Sequence, residues 1–115
     1  MKSAELRSAD DRVVLQRCWV ASSPLARMRG LLGRSGLETG EGILLRPASS
    51  VHTFFMRFAI DVVFLGGEGE VLKVADRVPP WRTTAAKGAR AVVELGAGEA
   101  GRRGIRVGAR LAMGV

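Results

Sequence analysis

Two adjacent prolines, Pro79 and Pro80, end a long run of alternately apolar residues that opens at Phe54 and is interrupted by Gly66-Gly67-Glu68-Gly69. Proline has no backbone donor to give a sheet ladder, and a glycine cluster between two β-branched runs signals a hairpin. The chain is therefore predicted to cross and return here, as strands within 54–65 and 71–78. If 54–65 is extended throughout, Phe54, Met56, Phe58, Ile60, Val62 and Phe64 share one face, and Arg57 and Asp61 share the other. An unbroken strand would hold that charged pair about 13 Å apart. A direct ion pair then needs a kink near Ala59.

The same reading extends along the chain. Residues 12–20, rich in β-branched and aromatic types, read as a first strand, and Ile43-Leu44-Leu45 as a short buried one that stops at Pro47. Strands are also predicted at 90–95, with Ala91, Val93 and Leu95 inward, and at 109–113. Two short helices are expected. One follows Ser23, which can cap it, and Pro24, with Leu25, Met28 and Leu32 facing the core; the other spans 99–103. Trp81 to Thr84 reads as an exposed loop, and residues 1–11 as a flexible N-terminal extension. The fold class is mainly β: a single-domain β-sandwich or distorted barrel over 1–115, with one or two short helices. A chain of 115 residues suits one domain, and no linker or repeat divides it.

Composition excludes several function classes. The net charge of +7 comes mostly from arginines spread from Arg7 to Arg110, without tyrosine among them. That pattern suits a solvated basic surface and disfavours a dedicated nucleic-acid groove, which gathers cations on one face with stacking aromatics between. One cysteine and one histidine exclude a disulfide framework and most zinc ligand sets. Neither a metal nor a cofactor is expected. Cys18 reads as a small buried filler. No apolar run reaches the roughly 18 residues that span a bilayer, and the opening residues lack the apolar centre of a secretory leader. The expectation is a basic, cytoplasmic protein.

Gly96-Ala97-Gly98-Glu99-Ala100-Gly101 has the glycine spacing of a dinucleotide loop, but no acidic residue follows Glu99 to hold a ribose. These glycines read as a turn before a helix. His52 stands near Ser49, Ser50 and Thr53, with Asp61 or Asp76 further on. A hydrolase-like site with His52 as general base oriented by Asp61 is one reading, although no nucleophile-elbow motif supports it. The preferred reading is a non-enzymatic domain that binds a small ligand, peptide or protein partner. Its site would be a polar pocket of Ser50, His52, Thr53, Arg57, Asp61, Trp81 and Arg82. His52 and Thr53 would exchange hydrogen bonds, Arg57 and Arg82 would supply positive charge, and Trp81 a flat apolar wall. Weak nucleic-acid binding through the arginines is a third reading. The residues leave open whether the chain is an enzyme.

Four phrases stand in order: SPLARMRGLLGR, GEGILLRPASSVHTFFMRFAIDVVFL, GEVLKVADRVPPWR and GARAVVELGAGEAGRRGIRVGARL. Over about residues 12–113 the chain resembles an uncharacterised prokaryotic family catalogued as domain of unknown function 192. The resemblance implies a compact β-sandwich or distorted barrel with a short helix, and brings no accepted activity, cofactor or partner. Where that family often has a cysteine after proline, this chain has Ala48 after Pro47, so a thiol mechanism at that position is lost. Ala59 replaces a usual proline, and Ala109 a usual acid. Many relatives carry an export signal, which the opening residues here lack.

Overall fold

The computed structural model describes residues 2–23, 31 and 34–114. The helix expected after Ser23 lies outside the described residues. Among those described are nine strands: β1 (Lys2–Ser8), β2 (Val13–Ala21), β3 (Glu41–Leu45), β4 (Ser50–His52), β5 (Ile60–Leu65), β6 (Val71–Val78), β7 (Thr83–Ala85), β8 (Ala91–Gly96) and β9 (Leu111–Met113). One short helix, α1 (Glu99–Arg102), accompanies them. The molecule is mainly β.

Seven strands form one sheet in the order β6-β5-β8-β3-β2-β1-β9, and β4 pairs with β7 in a small second sheet. The β2–β3 pair is parallel and the remaining pairs are antiparallel. A parallel pair needs a long crossover, which here is residues 22–40. The large sheet curls until its two edges meet at one corner. There Glu70 bridges Arg110, and Val71 N–H donates to the Ala109 carbonyl at 2.8 Å. The result is a half-barrel. Its closure depends on the predicted hairpin. Gly69 has φ +82°, and a Cβ there would strike the Leu111 carbonyl oxygen. Glycine alone lets the hairpin lie that close to β9.

Both faces of the sheet are buried. Leu6, Leu15, Cys18, Leu44, Val63, Leu65, Val93, Leu95 and Leu111 fill the inside of the curl, where Ala100 of α1 and Ile105 close it. Ile43, Leu45, Ile60, Val62, Phe64 and Val92 pack on the other face. Alternate residues of β5 and β8 therefore enter different cores, and the sequence alternation marks two cores instead of core and solvent.

Three expectations are corrected. Within the flexible extension expected over 1–11, Lys2–Ser8 form β1, which pairs with β2 and β9, and Leu6 is buried in the curl. The strand predicted from Phe54 begins only at Ile60, because residues 53–59 turn. The loop predicted at 81–84 contributes β7, whose ladder with β4 sets His52 opposite Thr83.

Candidate functional site

Thr53 explains the local architecture. It is fully enclosed, and its hydroxyl donates to the Pro79 carbonyl at 2.6 Å while accepting Arg82 N–H at 2.9 Å. Its backbone N–H donates to the Arg82 carbonyl at 2.8 Å. Its own carbonyl accepts two donors, Trp81 N–H at 3.0 Å and Met56 N–H at 3.2 Å. One residue thus clasps the segment after Pro79-Pro80 to the turn before β5.

That clasp creates backbone in which aromatic residues are unusual. Thr53 to Met56 is a β-turn, and Phe55, its third residue, has φ +66°. Trp81, held by the other arm of the clasp, has φ +67°. Such values suit glycine or asparagine, and cost a bulky side chain about 1–2 kcal/mol. Both rings also face water: Phe55 is 69% and Trp81 55% exposed. They touch edge to face at 4.7 Å between centroids. Phe54 stacks on Trp81 at 5.8 Å, and His52 leans on Phe54 at 5.0 Å. Imidazole and indole therefore sit on the same side of the molecule, joined through Phe54.

The remaining expected residues divide. His52 is exposed, and among the described residues its ring accepts and donates no hydrogen bond. With Ser50, Thr83, Thr84 and Lys73 it lines a shallow recess of about 440 Å³ over the small sheet. Trp81 and Arg82 lie outside that recess. Arg57 is exposed and meets no carboxylate among the described residues; Arg82 is exposed and reaches only the Trp81 carbonyl, at 3.3 Å.

Thr53 and Asp61 were expected to meet ligand, and both are sealed inside the fold at 0% exposure. Asp61 Oδ1 accepts Arg77 N–H at 2.9 Å and Gly98 N–H at 3.0 Å, and Oδ2 accepts Ala100 N–H at 2.9 Å. A β6 bulge at Asp76 and Arg77, where Arg77 has φ +48°, turns the first of these donors inward. Asp61 fastens β6 and the entry to α1 onto β5. Its hydrogen bonds are all to backbone amides and none is to His52, so the geometry of a base oriented by Asp61 is not formed. Nor does Asp61 share a solvent face with Arg57, because Asp61 points into the curl.

Phe54, read as the start of an apolar strand face, and Phe55, which the sequence reading did not single out, complete the aromatic group. The sequence reading also passed over Glu94, which lies in register between Ile43 and Val62 on the outer core face and is 4% exposed. Burial pushes its carboxyl up to about 7. Among the described residues, none of the hydrogen-bond donors reaches it. Glu41 is the contrast. Burial would raise it too, but Trp19 Nε1 at 3.0 Å, Glu38 N–H at 3.1 Å and Arg34 at 2.8 Å outweigh burial and hold it below its ordinary value. Cys18 is fully buried, and burial lifts its thiol to about 12, which leaves it inert as a nucleophile. Groups of three or more histidine, cysteine, aspartate or glutamate side chains suited to a metal do not occur among the described residues. No described helix is long and apolar enough to cross a membrane.

Residues 5–113 match the model of a family described as uncharacterized ACR, domain of unknown function 192. The match begins inside β1. No curated protein matches the chain. A solved structure from Novosphingobium aromaticivorans, described as a protein of unknown function, is similar at 24% identity and a TM-score of 0.82. That likeness covers 96% of this chain and 83% of the other. A structure from Sinorhizobium meliloti, provisionally described as a transcription regulator, is similar at 21% identity and a TM-score of 0.86, over 97% and 94%. These likenesses carry the fold.

Proposed function

We propose, for a chain that belongs to this uncharacterised family, that it is a binding module whose working surface is the aromatic group of Phe54, Phe55 and Trp81. His52 adjoins it through Phe54, and Arg57 and Arg82, which have no carboxylate partner among the described residues, flank it in sequence. The observation that carries the reading is the pairing of exposure with strain. Two large rings, 69% and 55% exposed, sit on backbone that favours glycine. Together those two positions cost about 2–4 kcal/mol, while each ring pair returns about 0.5–1.5 kcal/mol. Asparagine at both positions would make the same turns with less strain. The rings serve something other than the fold.

The chemistry favours a segment of a partner protein with an apolar anchor beside acidic side chains. The rings supply area at small entropic cost, and aromatic residues with arginine are the commonest anchors of protein interfaces. Neither Arg57 nor Arg82 has a carboxylate partner among the described residues, so both can receive one. A peptide library selected on the immobilised protein tests this. Enrichment of sequences combining Trp, Phe or Leu with Asp or Glu is expected. Their binding should fall at least about tenfold in the Phe55→Asn/Trp81→Asn double variant, because asparagine tolerates the left-handed backbone. Peptides that bind the double variant equally well would refute the reading. So would a clear preference for single-stranded oligonucleotides, whose bases stack on aromatic and arginine surfaces of the same kind.

A further inference from the structure

Where the curl of the large sheet ends, a groove of about 500 Å³ opens at the mouth of the half-barrel. Its floor is the end of the inner core: Leu6, Leu44, Leu65 and Leu111 line it, and all four belong to the cluster that fills the curl. The closing hairpin, Gly66 to Gly69, forms one bank, and Ala112 and Met113 of β9 another. Two guanidiniums stand over this apolar floor, Arg46 just after β3 and Arg90 just before β8. Both residues are exposed, and among the described residues neither side chain has an acidic partner. The groove's carboxylate, Glu68, lies 3.7 Å from Arg110 and is answered there. Apolar floor and unanswered positive charge thus share one concavity of a size that encloses small ligands, at a barrel mouth, where ligands commonly enter.

We infer that this mouth is a ligand site for a fatty carboxylate: a linear apolar tail lying along Ala91, Ala112 and Met113 above the leucines, with its carboxylate held between Arg46 and Arg90. Guanidinium presents a planar fork of donors that a carboxylate matches with two parallel hydrogen bonds. An uncharged tail alone would leave both cations unmatched, and a small anion alone would leave the apolar lining of Ala91, Ala112 and Met113 uncovered. The site is independent of the aromatic surface around Trp81, with which it shares no residue.

Decanoate, kept below its aggregation concentration, is the probe, and the full chain labelled for two-dimensional NMR is the reporter. Saturable shifts are expected at the Gly66–Gly69 amides and the Met113 methyl group. 1-Decanol should bind at least about tenfold more weakly, since it lacks the charge-assisted bonds. Arg46→Gln and Arg90→Gln should each weaken decanoate about fivefold or more, and Ala112→Trp, at an exposed position, should block the groove. All three should melt like the parent, and Arg106→Gln, an exposed arginine outside the groove, should bind like it. Three results would overturn the inference: no saturable binding, equal affinity for decanol, or binding indifferent to both arginine variants. Tighter binding of decyl phosphate than of decanoate would overturn the carboxylate assignment, and shifts centred on Trp81 would overturn the location.

Discussion

Glu94→Gln separates charge from shape at a carboxyl enclosed between two apolar residues. Glu94 stands in a row between Ile43 and Val62, all three buried, and none of the described donors reaches it. Burial lifts it from an ordinary 4.5 to about 7. The folded state therefore binds this proton more tightly than the unfolded state does. Below pH 4.5 the group is neutral in both states, and the stabilisation from the held proton is fully present. As pH rises through about 7 the folded chain must ionise it, and that stabilisation is lost. At about 1.4 kcal/mol per pH unit between the two values, the loss is about 3 kcal/mol. Glutamine keeps nearly the same shape and cannot titrate. Urea unfolding of both proteins from pH 4 to pH 9 gives a difference curve in which the shared titrating groups cancel. The parent should lose about 3 kcal/mol relative to the variant between pH 4.5 and 7, a midpoint shift of about 1.5 M if the urea slope is near 2 kcal/mol/M. A flat difference curve would refute the argument. So would one centred near pH 4.5, or one of opposite sign.

The other predictions concern the two enclosed anchors and the strained rings. Asp61→Asn should cost about 3 kcal/mol or more in the same unfolding assay, because one carboxyl oxygen becomes a donor facing an amide donor at Gly98, Arg77 or Ala100; a loss under 1 kcal/mol would show that these bonds do not hold α1. Thr53→Val should cost about 2–3 kcal/mol by stranding Arg82 N–H and the Pro79 carbonyl, and Thr53→Ser should restore most of it. Trp81→Asn should change stability by less than about 1 kcal/mol, since relief of left-handed strain offsets the lost ring contacts. Destabilisation of 3 kcal/mol or more would make Trp81 a packing residue and remove the case for a binding surface.

The hairpin at Gly66 to Gly69 and the stop at Pro79-Pro80 were legible because each is written in residues with one local meaning: backbone freedom in the first, a missing donor in the second. The strands at β2, β6 and β8 followed from β-branched runs, and β3 from the short apolar run Ile43-Leu44-Leu45. Legibility failed where the answer depended on what lay across a strand. Alternation at Ile60 to Leu65 gives the parity of side chains and says nothing of whether the second face meets water or another core. Asp61 was read as a pocket residue for that reason, although a carboxyl on a buried face is held once three backbone amides are turned toward it. Glu94 was passed over for the same reason, without any such amides to compensate it. β1 and the β4–β7 ladder were not visible because Lys2 to Ser8 is polar and the small sheet has three residues per strand. Their pairing comes from closure of the curl and from the Thr53 clasp.

The candidate surface was half legible, and the missing half is instructive. His52 and Trp81 were placed in one pocket; they share one side of the molecule, joined through Phe54, while Trp81 lies outside the recess that His52 lines. What the parity argument concealed was Phe55. Counting every second residue from Phe54 puts 55 on the other face and then ignores it, yet three consecutive bulky apolar residues, Phe54 to Met56, do not fit a strand with a single apolar face. The contradiction resolves physically: Thr53 turns the chain, the strand starts late at Ile60, and the turn throws Phe55 outward against Trp81. The enclosed polar residues and the exposed aromatic ones thus exchange the roles their chemistry suggests. Thr53 and Asp61, which look like ligand contacts, consume their hydrogen bonds in holding loops in place. Phe55, which stands in a core-like apolar run, and Trp81 are what those loops present. A site search that ranks residues by polarity alone will find the anchors of such a surface and miss the surface itself.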